Sequence, residues 1–350
     1  MKEFTREDFF GEMSRLKEYD RKKERLAAAR WNLIRLSHKP PALLDAVHSR
    51  LSGWSPEGAF AVSPRALFIF ASDHGLMDEG QLMEAHARTG DVVRLLAQGR
   101  APASLLAQGT QIDRDQVGLG LRDLDQPLEG VVHAPILAKG SFNPMKGDAL
   151  PEEAMMTAIR LGMEMAAQAA ERGFRLLMAS AAAESSDLIA LLVIAALTDR
   201  LPGDLSEKGP RLPDELFARQ NQILEEALRL RQPDKYNAFD VLAKIGGLDL
   251  AAMTGFFAGA ARFGIPVLLD GTASLASAML LTRLLPETRP IFFASASPAE
   301  PAGELAFRAL GLLPMIETPL PYGGGSGALM TLSLLDLAAS LYQAFESFEN

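Results

Sequence analysis

The chain contains no cysteine, which removes disulfides, thiolate nucleophiles and cysteine-ligated zinc together and fits a reducing, cytoplasmic setting. Basic charge is short as well: 35 Lys and Arg stand against 44 Asp and Glu, a formal net charge of -9. Nucleic-acid binding rests on clustered Lys and Arg against phosphates. No such run, interleaved with aromatics, occurs, so nucleic acid is not an expected partner. Long hydrophobic runs are missing too. The most apolar stretch, "LIALLVIAAL" (188–197), falls short of the roughly 20 residues a bilayer span requires; it reads as a buried helix, and no membrane partner is expected. The N-terminal stretch is charged throughout and lacks the apolar segment of a signal peptide. The five histidines (His38, His48, His74, His86 and His133) show no H-E-x-x-H or similar spacing, so no metal or other cofactor is expected. A Gly-Lys-Ser/Thr phosphate loop is absent, and no repeat of fixed period appears.

What is present is a 350-residue chain with 48% hydrophobic and 23% charged residues, enough for one large or two smaller cores. The runs "ALFIFAS" (66–72), "FRLLMAS" (174–180), "IPVLLD" (265–270) and "PIFFAS" (290–295) are apolar without alternation. That pattern predicts parallel strands covered by helices on both faces. Between them lie Ala/Leu/Met-rich segments with helical spacing. The first, "PEEAMMTAIRLGMEMAAQAAERG", opens with Pro151 and two glutamates and closes at Gly173. The fold predicted is therefore α/β: a doubly wound, mostly parallel, Rossmann-like sheet flanked by helices.

Ligands of such folds sit beyond the carboxyl ends of the strands. That directs attention to Asp73-His74-Gly75, to residues 181–186, to Asp270-Gly271-Thr272 and to Ala296-Ser297. A last helix, from Ser326 to about Phe345, should aim its free N–H groups at the same rim. Two stretches, 51–65 and 199–215, read as a linker and a loop.

Each candidate has a plain structural alternative. In "TPLPYGGGSGALM" (318–330), Gly323, Gly325 and Ala328 fit G-x-G-x-x-A. A dinucleotide fingerprint, however, belongs in a first βαβ unit with an acidic residue about 20 positions later, and here the chain soon ends. An anion or ring at the helix N-terminus and a simple glycine turn both stay open. Asp73 and His74 suit metal binding, ring orientation or acid–base work, or local capping. Asp270 suits a sugar hydroxyl or capping of the helix that follows it. Glu184, Ser185 and Ser186 suit either a ligand or a helix start.

At "KIGGLDLAAMTGFFAGAARFGIPVLLDGTASLASAMLL" the chain resembles the nicotinate-nucleotide:dimethylbenzimidazole phosphoribosyltransferase family of cobalamin biosynthesis. The family's Gly-Gly-Leu-Glu/Asp-Ile/Leu-Ala-x-Met helix is matched by Gly246, Gly247, Leu248, Asp249, Leu250, Ala251 and Met253. Its Pro-Val-x-Leu-Asp-Gly strand end is matched by Pro266, Val267, Leu269, Asp270 and Gly271. In the same order, "KPPALLDAV", "FIFASDHGLMDEG", "GRAPASLLA", "KGSFNP" and "ALGLLPMIETPLPYGGGSGA" are similar to further family segments. The resemblance thus runs from about Lys39 to the C-terminus. It implies a parallel α/β domain (61–330) and a small helical domain built from residues 1–60 and a C-terminal helix (331–350), usually in homodimers. It also implies transfer of phosphoribose from nicotinate mononucleotide to a ring nitrogen of dimethylbenzimidazole.

Departures from the family pattern cluster where its chemistry lies. The family's last loop reads Gly-Glu-Gly-Thr-Gly, with its glutamate as the base; here it reads Gly323-Gly324-Gly325-Ser326-Gly327, and the glutamate position is Gly324. A second family carboxylate falls at Ala179, an asparagine at Glu184 and a phosphate-facing lysine at Gln220. A glutamate at 184 repels a phosphate unless a cation intervenes. The resemblance implies a ring-and-ribose pocket formed by Asp73, His74, Ser141, Asn143, Glu184, Ser185, Ser186, Gly246, Gly247, Asp270, Gly271, Ser295, Ser297, Gly323, Gly325, Ser326 and Gly327. Glu184 and Asp270 are the candidate replacement carboxylates. The expected reaction is an altered or weakened phosphoribosyl transfer; a non-catalytic nucleotide- or benzimidazole-binding homologue is the alternative.

Overall fold

The computed structural model describes residues 3–34, 43–55, 60–80, 82, 88–110, 112–124, 126–183, 185–320 and 323–346. Among these, seven strands form one sheet: β1 (Arg65–Ser72), β2 (Asp113–Gly120), β3 (Val132–His133), β4 (Leu176–Ala181), β5 (Val267–Leu269), β6 (Phe292–Ala296) and β7 (Pro314–Ile316). Their order is β3-β2-β1-β4-β5-β6-β7, and every neighbouring pair is parallel. The four unalternating apolar runs are β1, β4, β5 and β6, nearly every residue of which is buried.

Strand β2 escapes that test because its sequence, DRDQVGLG, is polar where it emerges and buried only towards its end. Its two aspartates leave the sheet to pair with Arg172, Asp113 at 3.0 Å and Asp115 at 2.5 Å.

The helices are α1 (Arg6–Met13), α2 (Arg21–Ile34), α3 (Leu43–Ser52), α4 (Thr89–Ala97), α5 (Pro102–Gly109), α6 (Glu152–Glu171) and α7 (Ser185–Thr198). After them come α8 (Pro202–Leu205), α9 (Asp214–Arg231), α10 (Ala238–Ile245), α11 (Leu248–Phe263), α12 (Gly271–Leu284), α13 (Pro301–Leu310) and α14 (Ser326–Glu346). The stretch 199–215, expected as loop, contains the single turn of α8 and the start of α9. Pro202 and Asp214 open these helices, and proline and acidic residues both suit a first turn.

On one face of the sheet, α6 crosses α11 so closely that a Cβ on Gly162 or Gly255 would lie 1.9 Å from a carbonyl oxygen of the other helix. Phe256 of α11 stacks at a tilt on Phe68 of β1, ring centres 4.6 Å apart. The other face is covered partly by α14, whose Leu329, Leu332 and Leu335 are buried with Leu67, Ile69, Met178 and Leu268. By length and composition Ser326–Phe345 is apolar enough to cross a membrane; here one side of it packs against α3, α5 and β6, while Leu337 and Leu341 are exposed.

A third cluster joins α2 to α14 through Ala27, Trp31, Ile34, Ala338 and Tyr342. His48 of α3 is enclosed beside it, its ring centre 4.6 Å from that of Tyr342. Trp31 Nε1 donates to His48 Nδ1 at 3.3 Å. Burial pushes the imidazole down to about 4. The unfolded chain, with an ordinary histidine, takes up this proton first as pH falls. Stability from this residue is therefore complete above about pH 6.5 and drains away towards pH 4. Acidification from pH 7 to 5 is expected to remove about 2 kcal/mol from the unfolding free energy, read from urea melts. A His48→Gln variant should lose less over that interval; an equal loss would place the acid sensitivity elsewhere.

Candidate active site

The strand order diverges at β1, whose neighbours are β2 on one side and β4 on the other. In open parallel sheets such a divergence opens a crevice beyond the strand ends. A cavity of about 560 Å³ lies at that edge, over the ends of β4, β5 and β6. Strand-end residues Ser180 to Ala183, Asp187, Asp270 to Ala273 and Ser297 to Glu300 line it, together with Val92, Leu95, Leu96 and Arg100 to Ala103 of the α4–α5 region and Pro319, Leu320, Gly323 and Gly324.

Asp270 is the best-defined acid of this cavity. It follows β5 at the start of α12, yet its side chain does not cap that helix. It turns to the other helix, where one carboxylate oxygen accepts from Gly327 N at 3.0 Å and the other from Ser295 Oγ at 3.0 Å. Local capping, the plain alternative from sequence, is thus replaced by a long-range cap of α14, which brings a negative charge to the positive end of the helix dipole. Burial pushes the Asp270 carboxyl up from its ordinary value, against the lowering pull of Ser295 and the N–H groups of Ala328 and Gly327.

Two glycines of the final loop are required by close approaches. A Cβ on Gly327 would lie 2.2 Å from Asp270 Oδ1, and one on Gly325 would lie 2.6 Å from Leu67 of β1. Ser326 is fully buried, and among the described residues its hydroxyl has no hydrogen-bond partner. Gly324 differs. It lines the cavity, and among the described residues a Cβ there would meet only Ala103 at 3.2 Å and Leu96 at 3.8 Å.

His74, Ser185 and Ser186 form a separate buried network behind the cavity lining. His74 Nδ1 lies 2.8 Å from Ser185 Oγ, and its Nε2 lies 3.0 Å from Asp249 Oδ1. Ser186 donates to the other Asp249 oxygen at 2.5 Å. Burial works to raise the Asp249 carboxyl, but the His74 ring, the Ser186 hydroxyl and the Leu250 N–H together hold it below its ordinary value. An imidazole that donates from Nε2 and accepts at Nδ1 satisfies both partners. The network ties the end of β1 to the starts of α7 and α11. Gly247 leaves it room, since a Cβ there would lie 2.5 Å from His74 Nε2. Gly246 ends α10 just before it.

The remaining candidates hold loops in place. Asp73 accepts from Thr89 Oγ1 at 2.6 Å and from the Arg122 N–H at 2.7 Å. Ser141 pairs its backbone with the segment around His74. Asn143 donates to Glu79 at 2.6 Å and accepts from the Met145 N–H. The structure therefore brings Asp270, Gly271, Ser297, Gly323 and Gly324 together around the cavity, with Ser295, Gly325, Ser326 and Gly327 directly supporting them. Glu184 lies outside the described residues. Gln220 is buried on α9 and does not line this cavity.

Three participants were not singled out from sequence. Arg100 and Glu300 line the cavity, and Glu300 accepts from Thr272 Oγ1 at 2.9 Å; Asp249 anchors the buried network. Asp249 carried a signal in its place in the Gly-Gly-Leu-Asp match, and Arg100 lay within the quoted segment GRAPASLLA without being picked out. Among the described residues no group of three or more His, Asp or Glu side chains is arranged to hold a metal ion.

A parallel sheet with this strand order, a carboxylate-bearing cavity at its carboxyl edge and a glycine loop opening the last helix are the features of an open α/β fold that binds ligands beyond its strand ends. A family model described as phosphoribosyltransferase matches residues 16–350, and the chain belongs to that family, which extends the match beyond the segments legible from Lys39 onward. Among its relatives, nicotinate-nucleotide–dimethylbenzimidazole phosphoribosyltransferase of Acetivibrio thermocellus is 30% identical over 307 residues, covering 88% of this chain and 87% of the relative. The protein of the same name from Pseudomonas putida is 30% identical over 305 residues, 87% of each chain. The crystal structure of the Thermus thermophilus nicotinate-nucleotide–dimethylbenzimidazole phosphoribosyltransferase superposes with a TM-score of 0.82 at 26% identity, covering 93% of this chain and 96% of that one.

Proposed function

We propose that this protein transfers phosphoribose from nicotinate mononucleotide to a ring nitrogen of a dimethylbenzimidazole-type base in cobalamin biosynthesis. In this reading Gly324 stands where the loop glutamate of the family acted, and Asp270 supplies the remaining carboxylate. The bond from C1′ to the pyridinium nitrogen breaks, and its electron pair returns to nicotinate, whose ring becomes neutral without protonation. The bond from C1′ to the azole nitrogen forms, and the azole proton must be taken away. Asp270 opposes the positive charge that develops at C1′ and offers an acceptor for that proton.

The observation that carries the reading is the Asp270 carboxylate, held in the cavity wall by Ser295 and Gly327 and raised above its ordinary value by burial. The same reading carries a cytoplasmic homodimer and a small helical domain formed by residues 1–60 and 331–350. Chromatography of nicotinate and riboside phosphate after incubation with both substrates tests it. Transfer is expected at a rate about 10²–10⁴-fold below that of a relative with the loop glutamate. A rate equal to that relative's would show that Gly324 costs nothing. The missing side chain at position 324 also favours a non-catalytic binding homologue, and tight calorimetric binding of both substrates without any product would select it.

A further inference from the structure

Ala181 to Ala183 and Asp187 line the cavity on either side of Ser185 and Ser186, which do not. These two serines open α7 and are 8% and 0% exposed. Their hydroxyls turn inward, Ser185 to His74 Nδ1 at 2.8 Å and Ser186 to Asp249 at 2.5 Å. The rest of α7 is almost wholly apolar and buried. Apolar contact is non-directional, so by itself it leaves a helix free to slide or turn by small steps. The two hydroxyls supply the direction that the apolar residues lack, and they fix where α7 begins. The frame they bond to is itself held. His74 pairs its backbone with Ser141, and its side chain and that of Asp249 are fully buried. Asp249 also accepts from the Leu250 N–H at 2.9 Å, which sets its carboxylate at the N-terminal, positive ends of both α7 and α11.

We propose that His74 and Asp249 are positioning residues of the cavity. Through Ser185 and Ser186 they hold the lining at Ala181 to Ala183 and Asp187 in the arrangement that receives a nucleotide, while they themselves stay outside the lining. Removing one member leaves a buried partner without its hydrogen bond, and a buried polar network that is only partly satisfied no longer specifies a single arrangement. The choice of a nucleotide as ligand rests on the reading above. The anchoring of the lining does not.

Amide hydrogen exchange and calorimetric titration of nicotinate mononucleotide, run on the full chain and its variants, test this. The reporters are the N–H groups of Ala182 and Ser186, which donate to the Phe70 and Ala183 carbonyls. In Ser185→Ala and Asp249→Asn both should exchange about tenfold faster, and the nucleotide should bind about tenfold more weakly. Ser185→Thr keeps the hydroxyl and should restore both readings. Thr254→Val removes another buried hydroxyl of α11, one that donates to the Leu250 carbonyl, and should move neither. If Asp249→Asn does not fold, Ser185→Ala carries the test. Unchanged exchange at both reporters, faster exchange with unaltered nucleotide affinity, no rescue by Ser185→Thr, or equal losses in Thr254→Val overturns the inference, and the proposed reaction stands. A wild type that binds no nicotinate mononucleotide removes the donor named above, and exchange then decides alone: a rise confined to the two reporters supports the anchoring, and a uniform rise across the sheet overturns it.

Discussion

Gly324→Glu is expected to accelerate transfer to dimethylbenzimidazole by about 10²–10⁴-fold. Gly324 lines the cavity, and its Cβ direction is open apart from contacts at 3.2 and 3.8 Å with Ala103 and Leu96. Both neighbours are small or flexible enough to give by a few tenths of an ångström. The backbone there has φ +60, a left-handed conformation that a glutamate adopts at a cost of about 1–2 kcal/mol. A modest loss of thermal stability should therefore accompany the gain in rate. The two effects are read separately, by melting and by initial rates of nicotinate release. A folded variant no faster than its parent would mean that the loop does not face the acceptor.

Asp270→Asn is expected to lower the transfer rate by about 10²-fold or more and to change its pH profile. The Asp270 carboxyl sits above its ordinary value of 3.8 because it is buried. As a base it acts only when ionised, so the parent rate should fall as pH drops through a limb displaced upward from the ordinary carboxyl value. That limb should vanish in Asp270→Asn. The sign for stability runs the other way. The folded state holds this proton more tightly than the unfolded chain, so Asp270 contributes most to stability at acid pH and less as pH rises through its folded value. An asparagine oxygen still accepts from the Gly327 N–H, and the variant should stay folded at neutral pH. A rate loss with the acid limb unchanged would reduce Asp270 to an anchor of α14.

The two predictions rest on residues of unequal legibility. Strands β1, β4, β5 and β6 were readable because burial on both faces leaves an unbroken apolar run. Strand β2 was not, since its charged half pairs with Arg172 across 57 and 59 residues of chain. The loop glycines were visible as glycines, but their reasons differ. Gly325 and Gly327 are pressed against Leu67 and Asp270, whereas Gly324 faces the cavity, and nothing in the string GGGSG separates them. His74 and Ser185 looked like independent strand-end residues, although they share a hydrogen bond and Asp249 closes the network from a helix 175 residues beyond His74.

From its sequence alone this protein is an α/β chain of the phosphoribosyltransferase family whose last loop carries glycine at position 324. Apolar runs, helix caps and collinear motifs are local, and local patterns survive in one dimension. Only the tertiary structure decided that Asp270 caps α14 rather than its own helix, that His74 is buried away from the cavity lining, and that Arg100 shares one cavity with three acids. Each of those is a meeting of side chains from distant segments, and a side chain's partner, burial and charge state exist only once the sheet has brought the segments together.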